Sequence, residues 1–216
     1  MSEEQISHTA DFIRKEFSKE GSGHDWWHIY RVWQNARKIL SYEHADAEVV
    51  QLAVLLHELP DEKLFEGGKE QGIRRSREWL NALDVPEEKV NQIEEILRRC
   101  SFRDSIDDTA EPSQELAIVR DADRLDALGA IGIARCFTFN GYKGNMTYDP
   151  DNPPNTELNK EEYQKDNSPA INHFYEKLFR LKDLMHTEQG RAMAEHRHQY
   201  MEQFIDEFFQ EWEGRR

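Results

Sequence analysis

Histidines and carboxylic acids concentrate at three places in this sequence, and together they are able to bind a metal ion. The segments are HDWWH at 24–28, HELPDE at 57–62 and DADRLD at 121–126. Imidazole and carboxylate groups in combination suit Mn, Fe, Co, Ni or Zn, and they leave coordination positions open for water and a phosphate oxygen. Each segment alone has an ordinary explanation, such as a helix cap or a solvated helix start. Their order along the chain indicates a metal site.

Amphipathic helices are predicted to carry these segments. Apolar residues recur at helical spacing from His24 to Leu40 and from Ala45 to His57, and Pro60 follows where a helix cannot easily continue. An earlier helix is predicted around Ile6 to Phe17. Further helices are predicted at about 72–84, 87–99, 113–125, 126–139, 168–186 and 188–212. No segment predicts a strand, so the expected fold class is all-α.

The composition and charge of the chain narrow its class. The 216 residues hold no linker-like stretch, so a single domain over 1–216 is predicted. The formal net charge of −15 disfavours binding to duplex nucleic acid or to anionic membranes, and an anionic substrate needs a bound cation and local basic side chains. Cys100 and Cys136 form no paired motif, and no signal peptide or membrane span is apparent, which is typical of a cytoplasmic protein.

The C-terminal part of the chain differs in pattern from the metal-site core predicted at about 22–140. A Gly- and Pro-containing loop is predicted over 140–167, with C-terminal helices over 168–213. Long loops often cover or bind a ligand, although a solvated excursion explains the pattern equally well. The last helix has an apolar stripe typical of core packing, and two histidines expected to face solvent. The stripe is Met193, Met201, Phe204, Phe208 and Trp212, and the histidines are His196 and His198.

The ordered motif resembles the H…HD…D signature of the HD-domain phosphohydrolase superfamily. The strings HDWWHI from 24, LLHE from 55 and DADRLDALGAIGIAR from 121 are similar to those of a bacterial subgroup of about this length. The resemblance extends from about residue 22 to the C-terminus. It implies an all-α HD-domain helical bundle with a C-terminal helical extension, and hydrolysis of phosphoester or phosphoanhydride bonds. Members similar to this subgroup act on nucleotides, including nucleoside triphosphates.

The resemblance also implies which residues bind the metal. His28 corresponds to the first ligand, His57 to the histidine of the doublet and Asp123 to the final aspartate. Glu58 departs from the signature, because the family has aspartate at this position. The extra methylene displaces the carboxylate by about a bond length unless the rotamer or backbone compensates. Glutamate remains a competent ligand, so the expected cofactor is a divalent metal ion, with Mn, Co, Ni, Fe or Mg as candidates.

Three polar residues near these ligands are candidates to act on water or substrate. Asp61 occupies the place where related hydrolases carry an acid close to the nucleophilic water, and the alternative is a turn aspartate. Lys63 is a candidate to neutralise phosphate charge, or it is an ordinary surface lysine. Arg124 is a candidate to reach phosphate, or it pairs with a neighbouring acid.

Two segments after the final aspartate have distinct patterns. Gly129, Ala130, Gly132 and Ala134 make a helix rich in small residues, which predicts that another helix packs closely against it and does not by itself indicate a site. The segment 137–149 combines aromatic rings with Lys143 and Tyr148. It is a candidate to contact the base or sugar of a nucleotide.

The favoured function is hydrolysis of a nucleotide, as by a nucleoside triphosphate pyrophosphohydrolase, with a divalent cation that binds the scissile phosphate and activates water. One alternative is a phosphodiesterase or nucleotidase of the same fold. Another is a catalytically degenerate HD module that binds metal or nucleotide, because Glu58 replaces the usual aspartate. The expected partner is a small phosphorylated molecule, and the sequence leaves the oligomeric state open.

Overall fold

The structure, a computed structural model, describes residues 2–18, 24–60, 68–101, 109–155 and 168–216. Within these ranges the regular secondary structure is helical and no strand is present. The all-α fold predicted from the helical spacing of apolar residues is therefore confirmed.

The helices follow one another along the chain with bounds close to those predicted. They are α1 Ser2–Glu16, α2 Trp26–Leu40, α3 Ala47–Leu56, α4 Gly68–Ala82, α5 Glu87–Arg99, α6 Gln114–Asp126, α7 Gly129–Lys143, α8 Ala170–Glu176, a 3-10 helix Leu178–Leu184 and α9 Glu188–Trp212. The prediction of one helix over 168–186 is wrong, because Lys177 leaves the helical conformation with φ −137° and ψ −58°. This residue separates α8 from the 3-10 helix.

The chain forms two compact units, Met1–Asp123 and Arg124–Arg216. In the first unit, α3 packs against α1, α2 and α5, and α4 packs against α5. A helix surrounded by other helices must be apolar on all its faces. This explains why seven of its residues are buried: Val49, Val50, Leu52, Ala53, Val54, Leu55 and Leu56.

In the second unit, α9 packs against α7 and the 3-10 helix, and α8 packs against the same two elements. Met201 of the predicted stripe is fully buried, whereas Trp212 near the end of α9 is 54% exposed. The expectation that His198 faces solvent is wrong, because its side chain is buried with its ring 5.1 Å from the Phe179 ring. His196 is exposed as expected.

The junction between α6 and α7 depends on glycine and on one ion pair. Gly129 has φ +70°, a left-handed conformation that side chains disfavour. A β carbon at Gly132 would lie 2.3 Å from the carbonyl oxygen of Ala127, so the close approach at this glycine is to the chain's own turn and not to another helix. Buried Asp126 pairs with Arg135 across the same junction. These residues of the DADRLDALGAIGIAR string therefore have a structural explanation.

Among the described helices, none combines the length and the apolar character that crossing a membrane requires.

Candidate metal centre

The N-terminus of α2 positions the first predicted ligand. Asp25 is the N-cap, and its carboxylate accepts a hydrogen bond from the backbone N–H of His28 at 2.8 Å. An aspartate in this role satisfies an N–H group that has no partner within the helix. The cap therefore fixes where the helix begins, and it places the His28 side chain in the first turn, where it is 2% exposed.

The end of α3 presents the next two residues. The helix ends at Leu56, and His57 is its C-cap with φ −63° and ψ −22°. The His57 Nδ1 atom lies 2.6 Å from the Val54 carbonyl oxygen. A carbonyl only accepts hydrogen bonds, so Nδ1 donates and neutral His57 keeps its lone pair on Nε2. Histidines that bind metals almost always donate their other ring N–H to a carboxylate, a backbone carbonyl or a water molecule, and the carbonyl has this role here.

The four predicted ligands come together although they lie far apart in sequence. Glu58 Oε1 is 3.0 Å from His28 Nε2 and 3.3 Å from His57 Nε2. Asp123 Oδ1 is 3.5 Å from His28 Nε2 and 3.9 Å from His57 Nε2. The two Nε2 atoms are themselves 3.4 Å apart. Two imidazoles and two carboxylates thus converge on one small region of the first unit.

Glu58 carries negative charge into a buried position. Burial alone would raise the pKa of its carboxyl, but the charge of His57 and hydrogen bonds from three histidines hold that pKa well below its usual value. Burial likewise acts to lower the pKa of His57, and the neighbouring Glu58 and Asp123 carboxylates outweigh it, so the pKa of His57 is raised. The site therefore combines an ionised buried acid with one imidazole, that of His57, whose positively charged form the neighbouring carboxylates stabilise.

Asp123 is held near the histidines by a contact one residue earlier. The Asn35 side chain of α2 donates from Nδ2 to the Ala122 carbonyl oxygen of α6 at 3.1 Å. This bond is buried and joins the two helices that carry His28 and Asp123. The Asp123 side chain is 29% exposed against 7% for Glu58, so solvent reaches the cluster on the Asp123 side.

Sequence reasoning missed His24, which belongs to the same cluster. Its Nδ1 atom lies 2.8 Å from Glu58 Oε1, and its side chain is 39% exposed. The available signal was its spacing of four residues from His28 in the HDWWH segment, because residues at this spacing lie on one side of a helix. In the structure His24 precedes the N-cap Asp25, so the helical spacing does not account for its position in the cluster.

A role at this cluster stays a prediction for each of the remaining candidates. Asp61 and Lys63 lie outside the described residues. Arg124 is buried and donates from Nη1 to the Leu184 carbonyl oxygen at 2.5 Å, within the second unit. This bond is made to a backbone carbonyl, and both roles considered for Arg124, a phosphate contact and an ion pair with a neighbouring acid, stay predictions.

Lys143 and Tyr148 also have their described contacts within the second unit. The Lys143 ammonium lies 4.7 Å from the centre of the Phe139 ring, a cation–π contact. The Tyr148 ring meets the edges or faces of three aromatic rings of α9, at centroid distances of 5.9, 5.2 and 5.0 Å. These rings belong to Phe208, Phe209 and Trp212. Contact of either residue with a substrate remains a prediction.

The donor set fits a divalent metal ion. Within the described residues, two groups of side chains have potential ligand atoms close enough to share an ion: His24, His28 and Glu58, and His28, His57 and Asp123. Mixed nitrogen and oxygen donors of this kind suit first-row transition metals. The anchored Nδ1 of His57 and the buried negative charge of Glu58 agree with this assignment.

Comparisons with known proteins identify the family to which the chain is similar. The family model described as HD domain matches residues 26–128. The protein YpgQ of Bacillus subtilis is 38% identical over 202 residues, which cover 93% of this chain and 90% of YpgQ.

Solved structures extend the similarity to nearly the whole chain. A structure described as an HD-superfamily hydrolase from Bacillus thuringiensis is 40% identical, with a TM-score of 0.80, and the match covers 99% of this chain and all of that one. The structure of Bacillus subtilis YpgQ in complex with ADP is 37% identical, with a TM-score of 0.76 and coverage of 95% of this chain and 98% of that one.

Proposed function

The chain belongs to the HD-domain superfamily, and from this premise we propose that it is a metal-dependent phosphohydrolase whose substrate is a nucleotide. The observation that carries the proposal is the position of Glu58. Although it replaces the aspartate of the family signature, its carboxylate lies 3.0 and 3.3 Å from the Nε2 atoms of His28 and His57. The longer side chain is therefore accommodated in the cluster and not excluded from it.

The proposed metal ligands are His28, His57, Glu58 and Asp123. A divalent ion held there would supply positive charge to a phosphate oxygen and make water more acidic. The residues of the chain prepare this site. The Val54 carbonyl orients the His57 ring, and the buried Glu58 and the partly exposed Asp123 provide the negative charge that a cation requires.

Asp61 is proposed as the group that accepts a proton from the attacking water. This assignment rests on the resemblance to related hydrolases and on its place three residues after Glu58 in the sequence. In the favoured reaction, the water oxygen forms a bond to the α-phosphorus of a nucleoside triphosphate. The bond between that phosphorus and the bridging oxygen breaks, and pyrophosphate leaves with the bond's electron pair.

A nucleotide substrate is supported by one relative, and the charge of the chain indicates what binding it would require. The related YpgQ structure contains ADP. Because the chain has a formal net charge of −15, an anionic substrate needs local positive charge beyond the metal. Lys63, Arg124 and Lys143 are the proposed basic contacts, with Tyr148 as the proposed contact to the base or sugar.

The proposal is tested by a hydrolysis screen in which every product is resolved. Purified protein is assayed with Mn, Co, Ni, Mg or no metal against nucleoside tri- and monophosphates, cyclic nucleotides and a generic phosphodiester. Asp123→Asn tests whether the activity comes from the cluster, and Asp11→Asn is the matched control because Asp11 is exposed on α1. We expect metal-dependent release of pyrophosphate by the wild type and the control, and loss of most of that activity in Asp123→Asn, because the variant lacks one proposed ligand of the cation.

The products distinguish the alternatives. Phosphate released from monophosphates identifies a nucleotidase, and cleavage of a diester identifies a phosphodiesterase. Metal binding without turnover on any substrate would identify a binding module and refute the assignment as an enzyme.

A further inference from the structure

One residue of the cluster lies outside the ligand set that the family signature implies. The Nδ1 atom of His24 is 2.8 Å from Glu58 Oε1, whereas the same oxygen lies 3.0 Å from His28 and 3.3 Å from His57. His24 therefore makes the shortest of the three contacts to this carboxylate oxygen. It is also the most exposed of the three histidines, since the side chains of His28 and His57 are nearly buried.

We propose that His24 is a positioning residue that holds the Glu58 carboxylate in place for metal binding. The inference rests on the proposed function, since it concerns the same metal site. A glutamate has one more rotatable bond than the aspartate of the signature, so its side chain loses more conformational entropy when the carboxylate becomes a ligand. A hydrogen bond from outside the ligand set restricts those positions before the metal arrives.

The geometry of the cluster favours positioning over ligation. Within the described residues, the group close enough to share an ion that includes His57 and Asp123 does not contain His24. The Nδ1 atom of His24 instead lies 2.8 Å from the Glu58 carboxylate, which only accepts hydrogen bonds, so this ring nitrogen is placed to donate to it. Such a bond from a ring N–H to an ionised acceptor is stronger than a neutral one. His24 thus acts on the metal through Glu58.

The local backbone keeps His24 at this distance. Its neighbour Asp25 has extended dihedral angles, φ −78° and ψ 175°, and its side chain is bonded to the His28 N–H. The fixed conformation of Asp25 therefore sets where His24 lies relative to His28 in the first turn. The two rings meet edge to face, with their centroids 5.6 Å apart. The HDWWH segment therefore supplies one proposed ligand and one residue that positions another.

The experiment measures Mn²⁺ affinity of the full chain by calorimetry, without substrate. His24→Ala removes the hydrogen bond, whereas His24→Asn keeps a donor nitrogen at the same number of bonds from the backbone. His44→Ala is the control, because His44 is an exposed histidine of the same unit. We expect His24→Ala to raise the Mn²⁺ dissociation constant about 10- to 100-fold, the range for groups that orient metal ligands. His24→Asn should recover most of the affinity and His44→Ala should change nothing.

A double-mutant cycle tests whether His24 acts through Glu58. In the Glu58→Asp background the shorter side chain withdraws from His24, so His24→Ala should then have much less effect. An unchanged Mn²⁺ affinity in His24→Ala, equal losses in both backgrounds, failure of His24→Asn to restore affinity, or a lower number of bound ions would each overturn the inference. Wild-type protein that binds no Mn²⁺ would instead refute the proposed function itself, and the positioning role with it.

Discussion

His28 and His57 are 29 positions apart in the chain, yet their Nε2 atoms lie 3.4 Å from each other. One histidine belongs to the first turn of α2 and the other to the C-cap of α3, two helices that pack together in the first unit. Two ring nitrogens at this distance, with the Glu58 oxygen close to both, form an arrangement that a shared cation would stabilise.

Replacing either histidine should remove the bound metal. We expect His28→Gln and His57→Gln each to lower the Mn²⁺ or Co²⁺ content of purified protein severalfold, because each loses an imidazole ligand. Metal analysis after dialysis checks this, with His44→Gln as the control. Retention of full metal content by both variants would contradict the assignment of this cluster as the metal site.

Asp61→Asn should separate chemistry from metal binding. If Asp61 accepts the proton of the attacking water, the amide variant loses this role but leaves the four proposed ligands intact. The hydrolysis rate should then fall about 100-fold or more. Metal content measured on the same sample should stay near that of the wild type. A variant that loses metal and activity together would show Asp61 to be a ligand or a structural residue.

Glu58→Asp tests whether the departure from the family signature has cost the chain its activity. We expect a working hydrolase, in which the change to aspartate alters the rate or the metal preference only modestly. Hydrolysis by both proteins at saturating Mn²⁺ provides the measurement. The expectation fails if the wild type is inactive and Glu58→Asp is active, because that result identifies a module that lost turnover through this residue.

Two glycines of α7 should respond in opposite directions to alanine. A β carbon at Gly132 would meet the Ala127 carbonyl oxygen at 2.3 Å, whereas nothing lies within 4 Å of one at Gly141. We expect Gly132→Ala to lower the free energy of unfolding by about 1–3 kcal/mol through overpacking. Gly141→Ala should raise it by about 0.5–1 kcal/mol, because alanine has less backbone entropy to lose in a helix. Urea unfolding of both variants measures the difference, and equal effects would contradict the close approach at Gly132.

The stability of the chain should fall in mild acid because of His173. Burial, together with the positive charges of Lys177 and Lys143, lowers the pKa of His173 to about 3. The unfolded chain takes up a proton near the ordinary pKa of about 6.5 while the folded chain does not. The contribution of neutral His173 to the free energy of unfolding is therefore fully present above about pH 6.5. It is lost as the pH falls from there toward 3, because only the unfolded chain binds the proton.

The comparison of two variants isolates the contribution of His173. Between pH 7.5 and 5.0, the free energy of unfolding should fall less in His173→Gln than in the wild type. His196→Gln, at an exposed position, should follow the wild type. Urea titrations at both pH values, with EDTA present, provide the measurement. If the free energy of unfolding falls by the same amount in His173→Gln as in the wild type, groups other than His173 cause the fall.

Much of this protein could be predicted from its sequence because helix formation depends on local patterns. Apolar residues at helical spacing identified α2, α3, α5 and α9 to within two residues at each end. The ordered motif resembled the HD signature, and the family assignment is confirmed by the match over 26–128. The helical spacing of apolar residues and the ordered motif are both present in the amino-acid sequence itself, so neither depends on how the helices pack.

Other features were decided by neighbours that are distant in sequence. His198 has the local pattern of a solvated residue, but the packing of α9 against the 3-10 helix buries it. The contact between His24 and Glu58 spans 34 positions and depends on how α2 packs against α3. Residue order shows that Glu58 replaces an aspartate, but only the tertiary structure brings its carboxylate to three imidazoles, because that distance is set by the packing of whole helices.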